Sequence, residues 1–223
     1  MIFANIGNIR YEMLSQANLE GTIRCVSRAF TRNEPMSRHL GISYKEFLYF
    51  ARHCYPVLIE QELSLVAVDT TRNEVIGARI SEDFYLAGGG DIPGLSNKFL
   101  PLFAMLEKLS NYYGNHRGIV KGRYVHMFMV AVDEAYTKQG IAPTMYRIFI
   151  RHALERGFTH AVTEPTGLIS QHILRNKFGF RVVHEIPYQE FEYEGRLVFQ
   201  NLKGHKSAML MEKALHEIEI GRL

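Results

Sequence analysis

The fold is decided by residues 124–157, which read YVHMFMVAVDEAYTKQGIAPTMYRIFIRHALERG. Tyr124–Val132 consists mostly of large or β-branched apolar residues, a composition typical of a strand that is covered on both faces. Residues 133–142 form a short loop, after which Pro143 can begin a helix and Gly157 can end it. The segment therefore predicts a buried strand that turns tightly into a helix.

Hydrophobic periodicity predicts further elements on both sides of this unit. Strands are expected at residues 9–15, 63–69, 74–80, 160–163, 181–193 and 207–212, and helices at residues 18–31, 97–113 and 170–178 and from a Ser43 cap onward. Neither repeats nor a linker interrupts this series, which predicts one α/β domain with a mixed sheet over residues 1–223. The glycine-rich residues 87–94 do not lead directly from a strand into a helix, so a mobile surface loop is expected there rather than a phosphate-binding turn.

Composition limits the classes of partner and compartment. Hydrophobic residues make up 47% of the chain and charged residues 22%, as in ordinary soluble globular proteins. A net charge of +3 gives no reason to expect nucleic acid as a partner. No apolar run reaches the roughly 18 residues of a membrane span and no signal peptide is evident, so we expect no membrane association and a cytoplasmic location. Cys25 and Cys54 lack metal-type spacing, which predicts reduced, buried thiols and no metal site.

The turn after the central strand carries the first functional signal. A helix N-terminus leaves about four backbone N–H groups unpaired and carries partial positive charge. Small residues at Gly140 and Ala142 allow a ligand to approach that backbone, so the turn can bind a diphosphate. It lacks the Gly-Lys-Ser/Thr of a P-loop and the GxGxxG of a dinucleotide turn. The alternative is a plain strand, turn and helix whose small residues serve packing alone.

The run TKQGIA at residues 137–142 resembles motif A of the GNAT superfamily of acyltransferases, usually Arg/Gln-x-x-Gly-x-Gly/Ala, which holds the pyrophosphate of acetyl-CoA. Phe178-Gly179-Phe180 is similar to the Leu-Gly-Phe ending of that superfamily's motif B. The resemblance implies an α/β (α+β) fold with a mixed, mostly antiparallel sheet of about six to seven strands flanked by helices. Thr137 stands where the family usually has Arg or Gln, which implies a weaker phosphate contact.

The resemblance also implies which residues touch acetyl-CoA. In the family the central strand separates from the next one, and its free backbone groups pair with the pantetheine arm of the cofactor. Carried over to this sequence, the contacts fall on the end of that strand and on the turn: Val130, Ala131, Val132, Thr137, Lys138, Gln139, Gly140, Ile141, Ala142, Pro143 and Thr144.

Acetyl transfer to an amine requires a base, because only about one primary amine in a thousand is neutral at pH 7. Residues 29–36, AFTRNEPM, resemble the Phe…Asp-Glu-Pro-Leu run of invertebrate arylalkylamine N-acetyltransferases, in which the glutamate is the base. The resemblance therefore implies that Glu34 is the base here. Pro35 disfavours helical geometry at Glu34, which suits a loop residue directed into a cleft. The alternative is a solvated loop carboxylate.

Further candidates for proton transfer are His126 as a second possible base and Ser170 or Thr166 as the acid. His126 matches the first histidine of the pattern His-Leu-His-Val-Leu-Ala-Val-His in vertebrate arylalkylamine enzymes, whereas Phe128 replaces the second. A satisfied core histidine is the alternative at this position. The tyrosine acid of many GNAT members is replaced by Arg175, and Ser170 or Thr166 could provide the acid, as serines of this segment do in the invertebrate branch. Ser170 can equally be a helix cap.

The resemblance as a whole implies an acetyl-CoA-dependent N-acetyltransferase that acetylates a primary amine directly, with a small arylalkylamine as the expected acceptor. Aromatic residues that could line its pocket, or could simply belong to the core, are Phe30, Tyr44, Phe47, Tyr188 and Phe191. A polyamine, an amino acid or a protein amine is the alternative acceptor. A second alternative is a module of this fold that binds acyl-CoA without catalysis. The sequence leaves the oligomeric state open.

Overall fold

The computed structural model describes residues 1–87 and 91–215, in which eight strands and six α-helices form. The strands are β1 (Ile2–Ile6), β2 (Ile9–Met13), β3 (Leu65–Asp69), β4 (Glu74–Asp83), β5 (Tyr124–Val132), β6 (His160–Thr163), β7 (Arg181–Pro187) and β8 (Ser207–Ala214). The helices are α1 (Leu19–Asn33), α2 (Pro35–His39), α3 (Tyr44–Gln61), α4 (Leu100–His116), α5 (Ile141–Glu155) and α6 (Leu168–Asn176).

The strands form one sheet in the order β1-β2-β3-β4-β5-β6-β8-β7. Neighbouring strands are antiparallel except for β5 and β6, which are parallel. This arrangement confirms the expected mixed, mostly antiparallel sheet, with one strand more than predicted. The additional strand is β1, whose residues IFANI do not alternate clearly between apolar and polar and lie at an exposed edge of the sheet.

The strands β5 and β6 separate partway along their length. Their pairing runs from Tyr124↔His160 to His126↔Val162, and the rest of β5 extends beyond it. On its other side β5 pairs with β4, where Ile80 lies opposite Met129 but Glu82 lies opposite His126. One extra residue on β5 thus forms a bulge, which changes the direction of the side chains that follow it. The bulge and the separation lie on the same strand, in the middle of the sheet.

Helices cover both faces of the sheet. On one face α1, α3 and α4 pack on a cluster that includes Val26, Phe47, Phe99, Met105 and Ile80. On the other face α5 and α6 pack on a second cluster, which includes Met145, Phe149, Leu174 and strand residues such as Val125. Coverage from both sides explains why the sequence of β5 is nearly continuous in apolar residues.

Local sequence explains where the helices begin. Ser43 caps α3 as expected: its Oγ accepts the N–H of Glu46 at 3.3 Å, while Oε2 of Glu46 accepts the N–H of Ser43 at 2.7 Å. Helix α5 begins at Ile141, two residues before the predicted start at Pro143. Gly140 has φ 76° and ends the turn directly before the helix, and Pro143 lies within the first turn, where its missing N–H costs nothing.

Two other expectations differ from the structure, and a third falls partly outside the described residues. The stretch at residues 32–42, predicted as irregular, contains the short helix α2 with Pro35 at its first position. Strand β7 ends at Pro187, so residues 188–193 do not belong to it, because proline supplies no N–H to extend the ladder. The predicted loop at residues 87–94 includes Gly88, Gly89 and Gly90, which lie outside the described residues.

Both cysteines are free thiols, with Cys25 buried and Cys54 half-buried. Burial raises the pKa of Cys25 to about 12 and that of Cys54 to about 11. Within residues 1–87 and 91–215, no group of three His, Cys, Asp or Glu side chains is placed to hold a metal ion. None of the helices in these two ranges has the length and apolar character needed to cross a bilayer.

Candidate active site

The structure contains a cavity of about 530 Å³ that is lined by residues distant from one another in the chain. Its wall includes Glu34 at the junction of α1 and α2, Val130 and Val132 on the separated part of β5, and Ala142 and Pro143 in the first turn of α5. The segment that follows β6 and the start of α6 complete it, with Glu164, Pro165, Thr166, Gly167 and Ser170. The predicted amine side and the predicted cofactor side therefore face one space.

Glu34 has extended backbone geometry, with φ −76° and ψ 123°, as expected for a residue before proline. Its side chain caps α2: Oε1 accepts the N–H of Met36 at 3.0 Å, and Oε2 accepts the N–H of Ser37 at 2.5 Å. Thr166 Oγ1 donates a third hydrogen bond to Oε1 at 2.7 Å. The carboxylate is thus held in one orientation, and Oε2 keeps acceptor capacity beyond its single bond.

Thr166 belongs to a short hydrogen-bonded chain beside the cavity. The hydroxyl of buried Tyr188 donates to the carbonyl oxygen of Thr166 at 2.7 Å. Burial, and then the charge of Glu34, raise the pKa of Tyr188, which keeps this phenol protonated. The nearby Ser170 lies in the first turn of α6 and donates its Oγ hydrogen to the carbonyl oxygen of Gly167 at 2.8 Å. Gly167, not Ser170, occupies the cap position of that helix.

His126 is buried and lies between two carboxylates. Its Nδ1 is 3.0 Å from Oε1 of Glu82, and its Nε2 is 2.7 Å from Oε2 of Glu164. Burial alone would lower the pKa of His126, but the charge and hydrogen bond of Glu164, and then those of Glu82, raise it to about 10. The ring is therefore an imidazolium that donates on both sides, with no free lone pair. Glu164 lines the cavity, whereas His126 stands behind it.

The donor side of the cavity consists of backbone and small residues. Val130 is 39% exposed because it lies where β5 has separated from β6. In the turn before α5, Lys138 and Gly140 both have positive φ, 64° and 76°, so the chain reverses tightly and presents the N-terminus of the helix. No atom lies within 4 Å of the position that a Cβ on Gly140 would occupy, so this approach is open. Thr137, Lys138, Gln139 and Gly140 are exposed.

The remaining residues predicted to touch the cofactor lie beside this opening. Ala131 and Ile141 are buried, while Thr144 is half-buried and donates its N–H to the carbonyl oxygen of Gly140 at 3.0 Å. The backbone N–H groups that precede Thr144 in the first turn of α5 have no carbonyl acceptor within the helix. The expected arrangement of an unpaired strand edge next to a helix N-terminus is thus present.

Aromatic side chains make up much of the cavity wall. Those that line the cavity are Phe30, Phe47, Phe50, Phe99, Phe103, Phe128 and Phe178. Of the aromatic residues proposed from the sequence, Phe30 and Phe47 are among them, while Tyr188 and Phe191 are buried in the core and Tyr44 does not line the cavity. The acceptor end of the cavity is therefore mostly apolar, with Glu34 as a charged group.

Three charged residues of the site were not predicted from the sequence. Glu82 and Arg79 lie on β4, and Glu164 directly follows β6. Arg79 is 4% exposed and lines the cavity. The available signal was a charged residue within an apolar strand pattern, ARIS at residues 78–81, and a carboxylate directly after the apolar strand HAVT. Because the sequence alone does not reveal which strands are neighbours, it could not connect these residues with His126 or with the cavity.

Comparison with known proteins adds the family. Residues 103–180, which run from α4 to the end of the Phe178-Gly179-Phe180 motif, match the model of the acetyltransferase (GNAT) family. Residues 103–180 carry the signature of a GNAT acetyltransferase domain. Within this GNAT domain lie the separated strand β5, the turn before α5 and the segment that holds Thr166 and Ser170. Among curated proteins, none matches the sequence significantly.

Solved structures show that the GNAT fold extends over nearly the whole chain. The C-terminal condensation domain of Ebony, in complex with beta-alanyl-dopamine, has a TM-score of 0.83 at 21% identity, covering 92% of this chain and 98% of that one. Arylalkylamine N-acetyltransferase 2 from Aedes aegypti has a TM-score of 0.77 at 20% identity, covering 94% and 100%. The polyamine N-acetyltransferase of Drosophila melanogaster, which forms N-acetylagmatine, has a TM-score of 0.69 at 13% identity, covering 93% and 100%.

Proposed function

We propose that this protein is an N-acetyltransferase that transfers the acetyl group of acetyl-CoA directly to the primary amine of a small arylalkylamine. The observation that carries the proposal is the shared cavity, in which the carboxylate of Glu34 faces the same space as the separated edge of β5 and the first turn of α5. A donor thioester and an acceptor amine can meet there without a covalent acyl-enzyme. This proximity supplies much of the rate acceleration in a direct transfer.

Acetyl-CoA is proposed to bind along the donor side. GNAT membership of residues 103–180 implies this cofactor, and the residues present fit it. The N-terminus of α5, opened by Gly140, suits the pyrophosphate, because its unpaired N–H groups and helix dipole favour an anion. The free edge of β5 at Val130 and Val132 suits the amides of the pantetheine arm. Thr137 supplies no positive charge, so binding there relies on the backbone.

The chemical step is proposed to use Glu34 and Ser170. Glu34, through Oε2 or a water molecule on it, takes the proton of the ammonium, and the neutral amine attacks the thioester carbonyl carbon. The C–N bond forms and the C–S bond breaks. The departing thiolate takes the proton of the Ser170 hydroxyl, and Ser170 is reprotonated by the second proton, which the nitrogen loses as it becomes an amide. The paired nitrogens of His126 favour the core alternative for that residue. In the core, the His126 ring fixes the position of the Glu164 carboxylate through the contact of its Nε2.

The acceptor is proposed from the wall of the cavity. Seven phenylalanine side chains line the cavity and offer apolar contact to an aromatic amine. A polyamine stacks poorly on such rings, and its second cationic group would have to be desolvated beside them. The imidazolium of His126 compensates part of the charge of Glu164, which makes that carboxylate less available for a second ammonium. A polyamine, amino acid or protein amine therefore fits this cavity less well.

A panel of amines tests the proposal. The protein is mixed with acetyl-CoA and with tyramine, dopamine, serotonin, agmatine, spermidine or a lysine peptide, and released CoA is followed with a thiol reagent. We expect the highest kcat/KM for the three aromatic amines. Turnover of agmatine or spermidine above all of these would replace the arylalkylamine by a polyamine. Tight binding of acetyl-CoA in calorimetry without turnover of any amine would instead indicate a binding module.

A further inference from the structure

Arg79 is a buried cation for which the described residues provide no anionic partner. The residue is 4% exposed, and its Nε has no hydrogen bond within the described part of the chain. Its guanidinium lies over two rings of α5, with Cζ 5.9 Å from the centroid of Tyr146 and 5.4 Å from that of Phe149. Burial lowers the pKa of Arg79 to about 10, so the group remains charged at neutral pH. No carboxylate forms an ion pair with it among the described residues.

Such an arrangement is costly for stability. A buried charge normally has a counter-ion or a full set of hydrogen bonds, and cation–π contacts compensate only part of the lost hydration. A methionine or leucine would fill the same space against the rings without this cost. The presence of an arginine at this buried position is therefore better explained by a ligand that accepts its hydrogen bonds than by a role in packing.

The position of Arg79 indicates which ligand this is. Arg79 lies directly opposite Val130 in the pairing of β4 with β5, so the two side chains share a face of the sheet at the point where β5 has separated from β6. Arg79 also lines the cavity together with Ala142 and Pro143 of α5. Its contacts with Tyr146 and Phe149 of α5 place the positive charge on the donor side of the cavity.

We propose that Arg79 binds an oxygen atom of the acyl-thioester donor beyond its nucleotide, through the guanidinium opposite Val130. The inference rests on the proposed use of a CoA thioester and adds a side-chain contact to a site otherwise made of backbone groups. Three oxygens share the required chemistry: an amide carbonyl of the pantetheine arm, the thioester carbonyl, and a carboxylate on a dicarboxylic acyl group. Each of these oxygens can accept hydrogen bonds from the N–H groups of a guanidinium.

A series of ligands of increasing length tests the proposal by calorimetry. The series is adenosine 3′,5′-bisphosphate, CoA, acetyl-CoA and succinyl-CoA, measured with the wild type, Arg79→Met and Arg79→Gln. We expect Arg79→Met to leave the affinity for the bisphosphate unchanged and to weaken binding at least about tenfold from one step of the series onward. A loss that begins with CoA identifies an amide carbonyl of the pantetheine arm. A loss that begins with acetyl-CoA identifies the thioester carbonyl, and a loss seen only with succinyl-CoA identifies the acyl carboxylate. Arg79→Gln keeps a planar polar group and should show a smaller loss.

A melting curve separates this role from a structural one. Without ligand, Arg79→Met should melt at or above the temperature of the wild type, because an unpaired buried charge has been removed. Arg52→Met, at an exposed ion pair with Glu20 outside the cavity, is the matched control and should bind all four ligands normally. Equal affinities of wild type and both Arg79 variants, or equal losses for all four ligands, would overturn the proposal. A wild type that binds no CoA species would overturn the proposed function instead.

Discussion

Thr166 Oγ1 donates a 2.7 Å hydrogen bond to Oε1 of Glu34, joining residues that are 132 positions apart in the chain. The carbonyl oxygen of Thr166 accepts in turn from the hydroxyl of Tyr188, also at 2.7 Å. The orientation of the proposed base therefore depends on the segment between β6 and α6, which belongs to the GNAT domain. The amine side and the donor side are connected by this contact.

Replacing Thr166 with valine removes the hydroxyl and keeps the shape of the side chain. We expect kcat to fall about tenfold, because a charge-assisted hydrogen bond that orients Glu34 is lost, while the affinity for acetyl-CoA stays the same. Steady-state kinetics and calorimetry measure the two quantities. Thr166→Ser restores the donor and should recover most of the rate. Equal rates for the valine and serine variants would contradict an orienting role for the hydroxyl.

Glu34→Gln tests the base itself. We expect kcat/KM for the amine to fall by about 10²–10⁴ at pH 7, the range that general-base catalysis contributes, with acetyl-CoA affinity unchanged. Because Glu34 also caps α2, part of any effect comes from the cap. Glu46→Gln is the matched control, since Glu46 belongs to the capping box of α3 outside the cavity, and it should lower the melting temperature without slowing turnover. A Glu34→Gln enzyme of normal rate would remove this residue from the mechanism.

The central part of the fold could be predicted from the sequence because its signals are local. The apolar run of β5 has the same bounds, Tyr124–Val132, in the prediction and in the structure, and so has β6, His160–Thr163. Strand β1 was missed because an exposed edge strand needs no apolar alternation. Helix α2 was missed because five residues are too few to show a helical period.

The site was predictable only where a motif lies on contiguous residues. The turn around Gly140 and the Glu34-Pro35 step both have local signatures, and both proved to line or border one cavity. The partners of His126 come from β4 and from the end of β6, so their meeting depends on the order of strands in the sheet. The position of Arg79 at the cavity also depends on the order of the strands. Long-range pairing of this kind leaves no pattern in a single sequence.

The charge of His126 predicts how stability depends on pH. The pKa of His126 is raised from 6.5 to about 10 in the folded protein, so its ion pairs stabilise the fold fully below about pH 6.5 and are lost as pH rises toward 10. We expect the melting temperature of the wild type to decline through this window by more than that of His126→Gln. Glu164→Gln removes one partner and should move the decline to lower pH.

A matched histidine isolates this effect from other titrations. His172 lies exposed on α6, and His172→Gln should follow the pH profile of the wild type. In addition, NMR of the imidazole nitrogens should show His126 doubly protonated at pH 8. A neutral His126 signal at that pH, or parallel melting profiles for His126→Gln and the wild type, would refute the charged state.

Gly140 provides a test of the donor side that separates backbone strain from ligand approach. Gly140→Ala introduces a Cβ at φ 76°, which costs about 1 kcal/mol of folding stability, and places a methyl group in the open space before α5. Gly157→Ala introduces the same kind of strain at φ 87° at the other end of the helix, also with no atom within 4 Å of the new Cβ. We expect the two variants to lose similar amounts of stability in chemical denaturation. Only Gly140→Ala should lose CoA affinity, by at least about tenfold, because its methyl group holds the phosphates away from the helix N–H groups. If both variants bound CoA equally well, the pyrophosphate would have to bind elsewhere than at the N-terminus of α5.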